Sequence, residues 1–540
     1  MSKRFASISF LSLLSRPARL AWLLLLALSP FAYVAGAWVL LKTDPNTRVN
    51  FEIDRADALR LAADCAANLG LNVASWTSGA KVTVSQDRYY YYQLHRNQEA
   101  EVMRRLAPEA YIHVRLISPD RQEALDVELS KEGRLLGYNL TVPSGEETPD
   151  AGEAVARDTA ATAFRELQLQ QSLPNAPAPS FSENREFASV LRRYTWQPTF
   201  AALPGAHTQV AVAVLGDRVI TKEVTTRFNP AYAGEHLVNR RPLAKLALVP
   251  FGLLIFFIAC YGLYRYLQRT WQKEVPHARS LLLGAVLSAA FFFIALQSDF
   301  GTFGPPIGAN KAGTYWILLI GTVVVFVVMG MSLGLAYGSG EGDVRESYPG
   351  KLTSLDALLS GRLLSRNVAR AVCTGAALGG WTLFTHSLIL LLWAADPSSG
   401  PGLSEQFYGI FFGRFAWLLP LVNPPLAAIQ IAVTGLLLPL SLLSRSRRIR
   451  GKRRLLLSAL IMLSLVASFE VFQEQTLPFA AGLLMAAART AFLLLLFFSF
   501  DLLTAIVGIA APSLVVFVLY FMSQPAPSLQ RGVCWRRGLR

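Results

Sequence analysis

Arg445-Ser446-Arg447-Arg448-Ile449-Arg450-Gly451-Lys452-Arg453-Arg454 carries seven positive side chains and separates two apolar runs, 421–443 and 455–472, that contain no Lys or Arg. Positive side chains beside apolar runs resist transfer across a bilayer and stay on its cytoplasmic side. Outward from this stretch lie further apolar runs at 20–41, 246–263, 280–297, 315–336, 369–393, 479–499 and 502–521. Crossing a hydrocarbon core of about 30 Å takes roughly 20 residues at 1.5 Å rise, so each run is a candidate span. Segments 1–19, 264–279, 337–370 and 444–454 hold four, four, five and seven basic residues. Segments 298–314 and 394–420 hold one each (Lys311, Arg414), and 473–478 holds none. This alternation predicts a cytoplasmic amino terminus (1–19), an anchor helix at 20–41 and an extracytoplasmic block at 42–245. A multi-span region at 246–521 and a basic tail at 522–540 complete the plan.

Composition agrees: 53% of the 540 residues are hydrophobic and 16% charged, with a mean hydropathy of +0.37. Soluble domains carry about a quarter charged residues, so a purely soluble chain is excluded. The net charge of +15 sits beside apolar runs, which argues for lipid and against nucleic acid as its partner. Cys65, Cys260, Cys373 and Cys534 have no metal-ligand spacing, and no disulfide framework follows. The 20–41 run is longer than the apolar core of a cleaved signal, although Ala35-Gly36-Ala37 has the form of a cleavage site; an uncleaved signal anchor is expected. Segment 407–420, with Arg414 and Pro420, reads as interfacial or re-entrant. The runs 479–499 and 502–521, parted only by Phe500 and Asp501, either form a tight hairpin or leave one helix at the surface, so eight or nine spans are expected.

The extracytoplasmic block alternates helical and strand periodicity. Asp54–Leu69 reads as a helix with Asp54 as its cap, closed by Gly70. Strands follow at 110–117 and 124–142, the latter broken at Glu132-Gly133. A second helix at 151–169 opens a second cycle, ending in a hairpin across Gly216-Asp217. Pro174–Ser182 reads as a linker, and Tyr89-Tyr90-Tyr91-Tyr92 as a half-buried strand or interface belt. The expected fold is therefore a polytopic α-helical membrane protein with an extracytoplasmic α+β domain of two helix-then-sheet units. The order resembles PepSY-like envelope modules, whose sheet edges would accept an extended peptide; a folded spacer is the alternative.

No phosphate loop, HExxH or GxSxG motif is present, and no cofactor or metal is expected. Gly338-Ser339-Gly340-Glu341-Gly342 reads as a flexible exit from a membrane helix. Within the cytoplasmic loop 341–370, Leu355, Leu358, Leu359, Leu363 and Leu364 follow helical spacing between Arg residues, which predicts an amphipathic helix on the inner surface. The stretch GEGDVRESYPGKLTSLDALLSGRLLSRNVARAVCTG (340–375), with Phe500-Asp501-Leu502-Leu503-Thr504, resembles large bacterial proteins of the CPBP (Abi) type, glutamic intramembrane proteases. The resemblance implies peptide-bond hydrolysis within an inner membrane, on membrane-protein or envelope-peptide substrates. That family's Glu-Glu-x-x-x-Arg helix is absent from the spans: Glu146-Glu147 is external and has no Arg four residues after Glu147. No catalytic residue is carried over, and a catalytically incomplete chain is expected. The tail after Met522 would place four Arg outside, as truncation or a frameshift would; a genuine short tail is the alternative.

Ionisable groups at membrane depth are the remaining candidates. By helical rise, Arg489 lies about 15 Å, Gln430 about 13 Å and His386 about 10 Å deep, so they fit one polar layer. Glu470 and Glu474 share a helix face near the outer interface. The readings carried forward are an intramembrane protease lacking its catalytic motif, an envelope sensor signalling through its spans, and a transporter component.

Overall fold

The computed structural model describes residues 16–47, 49–143, 148–171, 178–186, 189–198, 200, 203–233, 242–273, 277–297, 299–303, 311–394, 402–403, 412–444, 460–461, 463 and 479–525. The chain enters through α1 (Arg16–Ala27) and α2 (Ser29–Thr43), bent by 48° at their break. Pro30, in the first turn of α2, causes the bend, because its ring disfavours helical geometry in the residue before it.

Next comes the sheet domain. Asp54 caps α3 (Arg55–Asn68) by accepting the Asp57 N–H, and Gly70 ends it at φ +73°. Then follow β1 (Thr77–Val84), α4 (Gln86–Leu94), α5 (Gln98–Leu106), β2 (Ala110–Ile117), β3 (Ala124–Leu129) and β4 (Leu135–Thr141). The second unit is α6 (Glu153–Gln171) with β5 (Ser180–Glu186), β6 (Ser189–Trp196), β7 (Ala206–Leu215) and β8 (Arg218–Phe228). The two units merge into one antiparallel sheet of order β1-β2-β3-β4-β8-β7-β6-β5. Their seam is thin: β4 and β8 pair only through Tyr138↔Lys222 and Asn139↔Thr221.

Local readings were revised in this domain. The tyrosine run is helix α4, capped by Ser85, and Tyr90, Tyr91 and Tyr92 are all buried. Aromatic residues favour strands, but here the Tyr91 and Tyr92 hydroxyls donate to the Pro204 and Ala107 carbonyls, pinning the helix under a loop. Part of the expected linker 174–182 is edge strand β5; β1 and α5 went unread although Ala80, Val82 and Val84 alternate and Ala100, Met103 and Leu106 follow helical spacing.

The remaining helices form a bundle: α7 (Pro242–Trp271), α8 (His277–Gln297), the short α9 (Phe300–Phe303), α10 (Lys311–Ser347), α11 (Thr353–Leu359), α12 (Arg366–Ala394), α13 (Leu419–Gln430), a π-helical stretch (Ile431–Leu437), α14 (Leu438–Ser444), α15 (Phe479–Ser499) and α16 (Leu502–Ser523). Among the described residues six helices are long and apolar enough to cross a membrane, or seven if α1 and α2 form one span. The run 455–472 lies largely outside the described residues. Helices α8 and α10 meet closely because Gly334 lies against the Ser280 carbonyl, where a Cβ would stand 2.3 Å away. The last two spans form the tight hairpin: Asp501 caps α16 by accepting the Thr504 N–H at 2.8 Å. Residues 412–418, from the expected re-entrant stretch, are turn and 3-10 helix leading into α13.

Two expectations in loop 341–370 are corrected. The glycine-rich run is no flexible exit: α10 continues through it to Ser347, at 37 residues. The surface helix is shorter than predicted, because α11 stops at Leu359 and Gly361 turns the chain at φ +78°. Leu355 is buried in the bundle, whereas Leu363 and Leu364 project outward.

Candidate functional site

Two buried carboxylates organise opposite ends of the bundle. At the end remote from the sheet, Arg265 and Arg269, one turn apart on α7, both reach Asp343 on α10. Arg265 Nη2 lies 3.0 and 3.1 Å from the two Asp343 oxygens, Arg269 Nη2 donates at 2.6 Å, and the Ser441 hydroxyl of α14 donates at 2.6 Å. Gly342 makes room: a Cβ there would stand 1.6 Å from Arg269 Nη1. One turn away, Glu341 and Asp356 take Arg345 and Arg279 between them, with Arg345 Nη1–Asp356 at 2.8 Å and Arg279 Nη1–Asp356 at 2.9 Å. The cluster thus ties α7, α8, α10, α11 and α14. Tyr337 Oη, Glu341 Oε2 and Ser280 Oγ are buried there without a hydrogen-bond partner. Such desolvation is costly, so the cluster specifies one arrangement more than it adds stability.

Beside it, the two stretches that carry the family resemblance interlock. Lys351 Nζ donates to the Phe498 and Phe500 carbonyls at 2.7 and 2.9 Å, and the Leu502 N–H donates to the Lys351 carbonyl at 2.9 Å. The Ser354 hydroxyl donates to Asp501. Burial lowers the Lys351 ammonium's pKa below its ordinary value, with Asp501 opposing.

At the sheet end, Asp299 follows α8 in the left-handed region, φ +50°, an uncommon conformation for a non-glycine residue. Its carboxylate pairs with Arg55 of α3 and with Arg414 Nε at 3.2 Å, and accepts the Ala80 N–H of β1 at 3.1 Å. Arg55 also donates to the Phe412 carbonyl at 2.8 Å. Asp44 accepts the Tyr520 hydroxyl of α16, and Gln524 accepts the Phe51 N–H at 3.0 Å. Gln86 of α4 exchanges hydrogen bonds with the Leu403 backbone. Phe51, Leu403, Phe412, Phe517, Tyr520 and Phe521 join the sheet residues Ile112 and Val114 in one apolar core. Sheet domain and bundle are thus a single packed body at this junction.

The three residues expected to share a polar layer stand on three different helices. His386 is on α12 and Arg489 on α15, two helices that pack against each other. Gln430 stands on α13, which packs against α16 and α8, and its carbonyl accepts the Thr434 hydroxyl at 2.7 Å. Glu470 and Glu474 lie outside the described residues. Asp343 and Asp299 were missed as site residues; for Asp343 the signals were the Arg265/Arg269 spacing and the acids Glu341 and Asp343 directly following the long apolar run of α10. No group of three or more His, Cys, Asp or Glu residues fit to hold a metal occurs among the described residues. Compared with family models, curated proteins and solved structures, the chain matches none.

Proposed function

We propose that this chain is a multi-pass protein of a bacterial inner membrane, with a cytoplasmic amino terminus and its sheet domain on the extracytoplasmic side. In this reading it is an envelope receptor: the sheet domain takes up a peptide or membrane-protein segment and the bundle passes that state to the cytoplasmic end. The observation that carries the reading is the junction at Asp299, where β1, α3 and the end of α8 share one buried carboxylate. A displaced β1 or α3 cannot leave α8 unmoved, and α8 reaches the opposite cluster through Arg279. The basic segments 264–273 and 337–370 belong to the end remote from the sheet, which supports the sidedness.

Within the CPBP-like resemblance, the chain is the receptor and scaffold part of an intramembrane protease, without the acid pair that activates water. The interlock of Lys351 and Ser354 with residues 498–502 supports that kinship, since it joins the two resembling stretches.

The test has two arms. In intact cells a membrane-impermeant maleimide should label Leu135→Cys in the sheet domain and spare Leu364→Cys at the remote end; the reverse pattern would end the reading. In lipid nanodiscs, Asp299→Ala should raise amide hydrogen exchange both in β1 and at 337–356. A change confined to β1 would mean the domains are joined but do not communicate.

A further inference from the structure

The two helix-then-sheet units each lay one helix on the same face of the shared sheet, and at the seam those helices do not close. Between α3 and α6 runs an open groove of about 760 Å³, within the range of ligand sites. Its floor is the β4–β8 seam, with Leu135, Tyr138 and Val219, and Leu61 and Leu69 extend the apolar surface. Its rims carry Asp64 on α3 and Asp158 and Glu166 on α6, against one cation, Lys222, on the floor. Lys222 lies 3.5 Å from Glu166 and Arg165 lies 3.7 Å from Asp158, while Asp64 has no ion pair among the described residues. The lining is therefore net negative by two charges in a chain whose net charge is +15. A second cleft of the domain, about 410 Å³, has the opposite balance, with Arg104, Arg105, Lys131 and Arg134 against three Glu. Neither edge strand offers a comparable lining: β1 is covered at Gly79 by Thr302, and β5 shows Ser, Glu and Asn around one exposed Phe181.

We propose that the α3–α6 groove binds an extended peptide segment in which Lys or Arg alternates with apolar side chains. Apolar side chains settle on Leu135, Tyr138 and Val219, while the cations face Asp64 and Asp158 across the rims. A cleft lined with one sign of charge concentrates ligands of the other, so association is fast and weakens with salt. Glu166 and Lys222 are already paired and set the groove's depth. The Cys65 thiol on the wall is pushed up to about 11 by burial, with Lys222 opposing, which keeps it a neutral, weakly polar part of the lining at neutral pH. This inference rests on the receptor reading and names its ligand class.

The test uses the full chain in nanodiscs and three fluorescein-labelled peptides, alternating Lys-Leu, Glu-Leu and Ser-Leu, followed by anisotropy. The Lys-Leu peptide should bind best and lose affinity with salt. Asp64→Lys with Asp158→Lys, both exposed and expected to fold, should weaken it by about tenfold or more. Thr162→Trp, on the exposed rim of α6, should block all three peptides, with circular dichroism verifying the fold. Equal binding of all three peptides, or Lys-Leu binding untouched by both variants, overturns the groove. Binding that a proline at Phe181 abolishes would relocate the site to β5, sinking the groove and leaving the receptor reading intact. Groove binding without any change of exchange at 337–356 would do the reverse, keeping the groove and sinking the receptor reading.

Discussion

Asp299 and Asp343 use the same chemistry at opposite ends of one bundle and differ in what surrounds them. Each is a buried carboxylate held by two arginines from other segments. Around Asp343 every partner is buried, with Arg265 and Arg269 side chains 1% and 5% exposed. Around Asp299 the arginines reach water, Arg55 at 17% and Arg414 at 57% exposure. Water can replace Arg414 at Asp299; nothing among the described residues can replace Arg265 at Asp343. The remote cluster is a fixed point, and the sheet-end cluster is a latch that can open.

Mutations should separate the two. Asp343→Asn, which strands two buried guanidinium groups, should cost about 3–5 kcal/mol and lower the thermal midpoint in nanodiscs. Replacing Arg265, Arg269 and Asp343 together by Met, Met and Leu should restore most of it; failure of the triple variant to recover would mean the cluster stabilises the fold outright. Gly342→Val, which drives a side chain into Arg269, should cost about 1–3 kcal/mol by overpacking. Asp299→Ala should cost about 1–3 kcal/mol through the unpaired Ala80 N–H and the lost Arg55 ion pair, read as early melting of the sheet domain together with faster exchange at 337–356. Arg414→Ala should cost no more than about 1 kcal/mol, as exposed pairs do; an effect matching that of Asp343→Asn would erase the contrast.

The smallest effect concerns pH on the sheet's other face. Burial alone would raise the Asp126 carboxyl, but hydrogen bonds from His113 and Arg115 at 2.7 and 2.6 Å outweigh it and hold it below its ordinary value. The stability it supplies is complete above the ordinary value near pH 4 and is lost as pH falls through the lowered one. Two residues along β3, burial pushes Glu128 up. Folding then disfavours its charged form, so stability is lost as pH rises through the raised value. Glu128→Gln should raise the neutral-pH melting temperature slightly and flatten its fall above about pH 4; Asp126→Asn should lower it and remove the acid limb.

Six of the apolar runs, or seven with α1 and α2 as one span, are long apolar helices among the described residues, and each sheet unit opens on a helix; these were legible because composition and period carry them, whereas the β1, α4 and α5 insertion was not. The Asp54 cap and the Gly216-Asp217 hairpin were legible for the same local reason. Tyr90–Tyr92 were misread because their burial is set by Pro204 and Ala107, distant in sequence. Gly338–Gly342 was misread because glycine serves flexible exits and close helix contacts alike, and only the approach of Ser280, Leu437 and Arg269, distant in sequence, decides between them. The candidate site was least legible: Asp343 and Asp299 become conspicuous only when their arginines, 74 to 244 residues away by number, arrive.

The π-helical stretch Ile431–Leu437 carries a further consequence. A π turn holds more residues than the α turn it replaces, so it acts as a phase shifter for everything after it. Each residue of an α-helix advances the azimuth by about 100°. Shortening this stretch by one residue would therefore spin α14 and carry the Ser441 hydroxyl off Asp343, a rotation far larger in effect than the accompanying axial shift of about 1.5 Å.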